Sequence, residues 1–152
     1  MHIPDGFLDT KTWATCYVVS GGFTAYALYR AREVVDKAKK IPMLGITAAF
    51  IFAAQMLNFP VAGGTSGHFL GAMLACVLLG PWEGCLTMVV VLLVQCLFFG
   101  DGGLTALGAN ILNMGVIGGL LCYFLFSVLK VALARRAGEK GGEGGVGRHP
   151  LA

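Results

Sequence analysis

The sequence predicts an all-α fold: a polytopic transmembrane helical bundle of about five spans, with its N-terminus outside. Three observations carry this expectation. Hydrophobic residues make up 57% of the 152-residue chain and charged residues only 12%, against about 25% charged in water-soluble domains. The apolar residues gather into five runs, separated by breaks of glycine, proline and charge. The basic residues cluster in "RAREVVDKAKK" (residues 30–40) and "KVALARRAGEK" (residues 130–140), each abutting an apolar run. Basic runs so placed mark the cytoplasmic side of a membrane, so the partner they imply is lipid and no nucleic acid is expected.

The first apolar run covers about residues 12–29 and the second residues 41–59. The third, "FLGAMLACVLLG" (residues 69–80), is short, because a helix needs roughly 20 residues to cross about 30 Å of hydrocarbon. The fourth covers about residues 85–99 and the fifth about 104–129. With residues 30–40 inside, alternation puts the N-terminus, "PVAGGTSGH" (60–68) and "GDGG" (100–103) outside. It puts "GPWEG" (80–84) and the basic tail inside, so Glu83 is expected to be a solvated loop charge. Residues 1–130 thus form the membrane domain. Residues 131–152, rich in glycine and charge, cannot bury a core and are expected to be a disordered cytoplasmic tail. Nothing before Trp13 has the pattern of a cleavable signal peptide, so His2 is expected to stay in place.

Five cysteines (Cys16, Cys76, Cys85, Cys96, Cys122) lie in or beside apolar runs with no C-x-x-C pair, as small packing residues do. There is no phosphate-binding G-x-x-x-x-G-K-[ST] loop, no H-E-x-x-H and no nucleophile constellation. Catalysis has nothing to work with, and the chain is expected not to be an enzyme.

Of three histidines, His149 falls in the tail, while His2 and His68 both fall on the outer side. The amine of Met1, the amide of His2 and the His2 imidazole Nδ1 can close a five- and a six-membered ring around one ion. Three nitrogens then lie near a plane with a fourth corner open, and His68 is the obvious donor for it. Planar nitrogen ligation suits Ni(II) or Cu(II), with Co(II) also possible. His68 ends "GGTSGH", just before the short third run. Short, glycine-interrupted segments point to binding sites in transporters, because irregular backbone survives at membrane depth only where it lines a cavity. This loop is expected to dip into the bundle, with Thr65 and Ser66 available to orient His68. Five amides, Gln55, Asn58, Gln95, Asn110 and Asn113, all fall in the outer halves of their runs. The pairs 55/58 and 110/113 are spaced to share a helix face. Together they suggest a polar shell behind the ligands, although interhelical hydrogen bonding explains each singly. Asp5 and Asp101 are also outside and suit turns.

"MHIPDGFL", "AAFIFAAQMLNFPVAGGTSGH" and "DGGLTALGANILNMG" together resemble the CbiM/NikM family, the membrane substrate-binding components of energy-coupling-factor transporters for cobalt and nickel. The resemblance covers nearly all of residues 1–130. It implies a Co(II) or Ni(II) ion, carried as substrate, bound by Met1, His2 and His68. It also implies a place in the cell (cytoplasmic) membrane as a multi-pass component of an ABC-type importer. The implied partners are a transmembrane coupling subunit, cytoplasmic ABC ATPases that hydrolyse ATP, and a small accessory membrane subunit. The family usually has six or more spans where this sequence offers five, which is what a truncated or interrupted product would show. A different class of function, a non-transporting membrane assembly or metal-sensor subunit, uses the same glycines and amides for packing alone.

Overall fold

The computed structural model describes residues 2–32, 37–63 and 65–143. It is a helical bundle with one small hairpin. Helix α1 spans Thr10–Ala31 and α2 spans Lys37–Gln55. Strands β1 (Phe59–Val61) and β2 (Thr65–Gly67) pair antiparallel, with Phe59 opposite Gly67 and Val61 opposite Thr65. Then come α3 (Ala72–Leu79) and α4 (Pro81–Phe99). The last rod starts as α5 (Leu107–Asn110), widens into a π-helix over Ile111–Leu121 and ends as α6 (Cys122–Glu143).

Each helix start has a local cause. Asp9 caps α1 by accepting from the amides of Lys11 (3.1 Å) and Thr12 (3.3 Å), which satisfies two of the free N–H groups at the helix start. The second run is apolar to Phe59, but α2 stops at Gln55. Pro60 pushes the residue before it toward extended backbone, and Phe59 enters β1 instead. Glycine is required at residue 80, where φ is +106°, and Pro81 opens α4 at a position that needs no N–H.

Three expectations change here. "GPWEG" is not an inner loop: Gly80 alone joins α3 to α4, and Trp82, Glu83 and Gly84 form the first turn of α4. Glu83 is 7% exposed rather than solvated. Its Oε1 meets Lys40 Nζ at 2.9 Å. Chain past residue 130 continues as helix to Glu143, consistent with the good helix formers Ala, Lys, Arg and Glu in "KVALARRAGEK". Residues 144–152 of the expected tail lie outside the described residues.

The short third run makes only a half-helix, about 12 Å long at 1.5 Å per residue. It survives because it packs along α4. A side-chain carbon at Gly84 would sit 2.5 Å from Cys76 Cα, so the two backbones touch. Ile51, Met88 and Leu92 form the centre of the core, with Ala72, Leu107 and Met114 around them. On the outer face Val18, Phe98 and Leu125 are largely exposed, as on a surface covered by lipid. Among the described residues, two helical stretches, Pro81–Phe99 and Leu107–Arg136, are long and apolar enough to cross a membrane. The apolar stretch of α2, Lys40–Gln55, is shorter.

Candidate metal centre

The segment before α1 has no helix and is held by side chains far away in sequence. The Asn110 amide grips the backbone of Ile3 on both sides: Oδ1 accepts from Ile3 N–H at 2.9 Å, and Nδ2 donates to Ile3 C=O at 3.2 Å. Gly103 N–H donates to the same carbonyl at 2.9 Å. Two residues on, the Asp5 carboxylate accepts from the amides of Leu104 (3.1 Å) and Thr105 (2.7 Å) and from the Thr105 hydroxyl (2.5 Å). These bonds, the Thr105 hydroxyl's first, hold the Asp5 pKa below its ordinary range. The N-terminal segment is thus tied onto the loop that opens the last rod.

At Gly102 and Gly103 that loop leaves no room for a side chain. A side-chain carbon at Gly102 would lie 2.8 Å from His2 Cβ, and one at Gly103 would lie 2.3 Å from Asp5 N. Asp101 is fixed by its own amide, which donates to Gln95 C=O at 3.0 Å at the end of α4.

His2 is consequently buried, at 5% exposure. Its Nδ1 lies 3.1 Å from Asp101 Oδ1. Among the described residues Nε2 has no hydrogen-bond partner, and Nδ1 has none beyond this contact. Burial lowers the His2 pKa; the Asp101 carboxylate works against that, and His68 adds to it. Burial thus favours the neutral ring, the form that binds metals.

His68 follows β2 and is half-buried. Its Nδ1 lies 2.9 Å from Phe69 C=O; a proton directed along that contact leaves the Nε2 lone pair free. The next residues are docked on α2: Gln55 Nε2 donates to Leu70 C=O at 2.6 Å, and a side chain at Gly71 would strike Ile51. The result is that the rings of His2 and His68 stand 5.4 Å apart, centre to centre, tilted by 48°. Imidazoles that each reach one ion at about 2 Å have ring centres roughly 4.5–6.5 Å apart, depending on the angle at the ion.

The other expected residues divide. Gln55, Gln95 and Asn110 are buried. Gln95 is fully enclosed, and among the described residues neither of its amide atoms nor Gln55 Oε1 has a partner. Asn58 and Asn113 are exposed. Asn58 lies beyond the end of α2, so it has no helix face to share with Gln55. Asn113 lies in the π-helix, whose i→i+5 turn is wider than an α turn, so a three-residue step no longer returns to the Asn110 face. Ser66 is half-buried in β2 opposite Pro60, and the backbone of Thr65 pairs with Val61. Met1 lies outside the described residues. Among the described residues no three His, Cys, Asp or Glu side chains converge as a metal site.

Reasoning from sequence missed Asp101 as the neighbour of His2, and it missed Asn110 as the clamp on Ile3. The "DGG" pattern signals only a turn. The pairing of residues 3 and 110 leaves no periodic trace.

A profile of the CbiM family, described as the cobalt uptake substrate-specific transmembrane region, matches residues 2–143. A protein of Archaeoglobus fulgidus described as a putative fused nickel transport protein, NikMN, is 48% identical over 130 residues, covering 86% of this chain and 43% of its own length. The cobalt transport protein CbiM of Sorangium cellulosum is 40% identical over 140 residues, 91% of this chain and 60% of its own length. A crystal structure described as a truncated transition metal transporter superposes with a TM-score of 0.80 at 36% identity, covering 87% of this chain and 61% of the other. The chain therefore spans between 43% and 61% of the length of these relatives. A family profile matched along nearly the whole chain, with relatives this similar over most of it, makes the chain a member of the CbiM family of cobalt and nickel transport proteins.

Proposed function

We propose that this chain is the substrate-binding membrane component of an energy-coupling-factor importer for Co(II) or Ni(II). It sits multi-pass in the cell membrane with its N-terminus outside. The ion is held by the amine of Met1, the amide and Nδ1 of His2 and the imidazole of His68. It is bound by coordination alone, and ATP is hydrolysed by partner ATPases that act through a transmembrane coupling subunit. The fused nickel transport relative, of which this chain covers 43%, favours a small accessory membrane subunit as a further partner.

One observation carries the reading. A buried imidazole nitrogen without a partner costs about 1–3 kcal/mol, yet His2 is clamped beside a second imidazole with its Nε2 unpartnered among the described residues. An incoming ion satisfies it. Asp101 stands at Nδ1, where its charge offsets that of the arriving cation.

The experiment is equilibrium binding of Ni(II) and Co(II), by titration calorimetry, to protein with its native N-terminus. His2→Ala, His68→Ala and a form extended before Met1 are each expected to lose high-affinity binding. Full affinity in the extended form would refute the use of the terminal amine.

A further inference from the structure

At the end of the bundle opposite the histidines, α1 and α2 each pack on α4 with little contact between them. The gap is a hollow of about 300 Å³, walled by Leu28 and Arg32 of α1, Lys40 and Leu44 of α2, and Glu83 and Leu86 of α4. A second hollow of about 250 Å³ shares Leu44 and Leu86 and continues along Gly45, Ala48 and Val90. Together they form one groove, apolar along its length and charged at its mouth. From Lys40 to Ala48 it follows α2 for about 12 Å.

The charges at the mouth do not cancel. Glu83 is matched by Lys40 at 2.9 Å, and Lys40 Nζ also lies 3.5 Å from the Leu79 carbonyl. Arg32 is exposed, and no ion pair to it occurs among the described residues. One guanidinium is left over, able to take two phosphate oxygens at once. We propose that this groove binds one anionic glycerophospholipid, with its phosphate on Arg32 and the free N–H of Lys40 and one acyl chain lying along Leu44, Gly45 and Ala48. The described residues that wall the mouth sum to a single positive charge, which complements a phosphodiester's single negative charge. The apolar hollow continues from the mouth in the direction an acyl chain must run. A basic pocket between membrane helices is a known way to hold such headgroups.

Two variants test head and tail separately. Arg32→Gln removes the cation from an exposed position. Gly45→Leu fills the groove, because nothing lies within 4 Å of a side-chain carbon there. The measurement is native mass spectrometry of the protein in detergent with equal amounts of phosphatidylglycerol and phosphatidylcholine. Wild type is expected to retain phosphatidylglycerol in excess, and Arg32→Gln to cut that excess about fivefold. Gly45→Leu is expected to lower retention of both lipids. Equal retention of the two lipids by wild type would overturn the proposal, as would an unchanged preference in Arg32→Gln. Displacement by glycerol 1-phosphate alone would reassign the mouth to a soluble phosphate. A lipid-free dimer that Gly45→Leu dissolves would give the groove to a second copy of the chain.

Discussion

At one end of the bundle His2 Nε2 and the Gln95 side-chain amide are buried and meet no hydrogen-bond partner among the described residues. At the other end Glu83 is buried almost as deeply, but its carboxylate closes on Lys40. Buried polar groups in folded proteins are nearly always partnered, so the second end follows the rule and the first departs from it. The departure is not looseness. The chain around His2 is pinned by Asn110, Gly103 and Asp5. A rigid frame around unsatisfied nitrogens is what a site preorganised for a ligand requires. The end with the satisfied ion pair has its buried carboxylate matched and offers a groove instead.

The sharpest way to break this contrast is His2→Ala. Loss of the imidazole is expected to weaken Ni(II) binding by more than about 100-fold, while the metal-free protein melts no lower, because an unpartnered buried group has been removed. Calorimetry and thermal unfolding read the two effects separately. A melting temperature that drops along with affinity would mean that His2 is structural.

Asn110→Ala tests the frame rather than the ligand. It removes both bonds to Ile3 and should weaken metal binding about 10- to 100-fold, the range for groups that orient ligands. Gly103→Ala pushes a methyl into the Asp5 backbone and is expected to cost about 1–3 kcal/mol in denaturant unfolding, with weaker metal binding as a consequence.

Acid should affect the histidine end first. Burial lowers the His2 pKa in the folded chain, so the unfolded chain binds the proton more readily. Stability is full above the unfolded value of about 6.5 and falls as the pH drops from there through the folded value. Metal affinity falls in the same direction, because amine, amide and imidazole must all be deprotonated. Unfolding temperatures at pH 7.5 and pH 5 should differ less in His2→Ala than in wild type.

The smallest effect on metal binding is expected at the opposite end. Lys40→Ala breaks the pair with Glu83, whose side chain is only 9% exposed, and the carboxylate left without its partner is expected to cost about 1–3 kcal/mol in denaturant unfolding. Metal affinity should not change. If it did, the two ends would be coupled, and the contrast would have to be redrawn.

Sequence patterns were informative where the cause is local. Apolar runs gave α1, α2, α4 and the last rod, and the shortness of the third run anticipated the half-helix α3. Local reading failed where packing intervened. "GPWEG" has the composition of a loop, but α3 supplies a surface on which those residues can begin α4 instead. The 110/113 spacing implies one face only if the helix stays α, and the π-helix that begins at Ile111 breaks that assumption.

The sequence by itself determined which chemistry was available: two histidines outside the tail, one of them second in the chain, and charge runs that assign both to the same side. Only the tertiary structure decided that their rings stand 5.4 Å apart, that Asp101 faces His2, and that an asparagine 107 positions away holds Ile3. The reason is physical. Helix formation and membrane preference are set by residues a few places apart, whereas the site depends on contacts across the whole chain that exist only once the helices have packed.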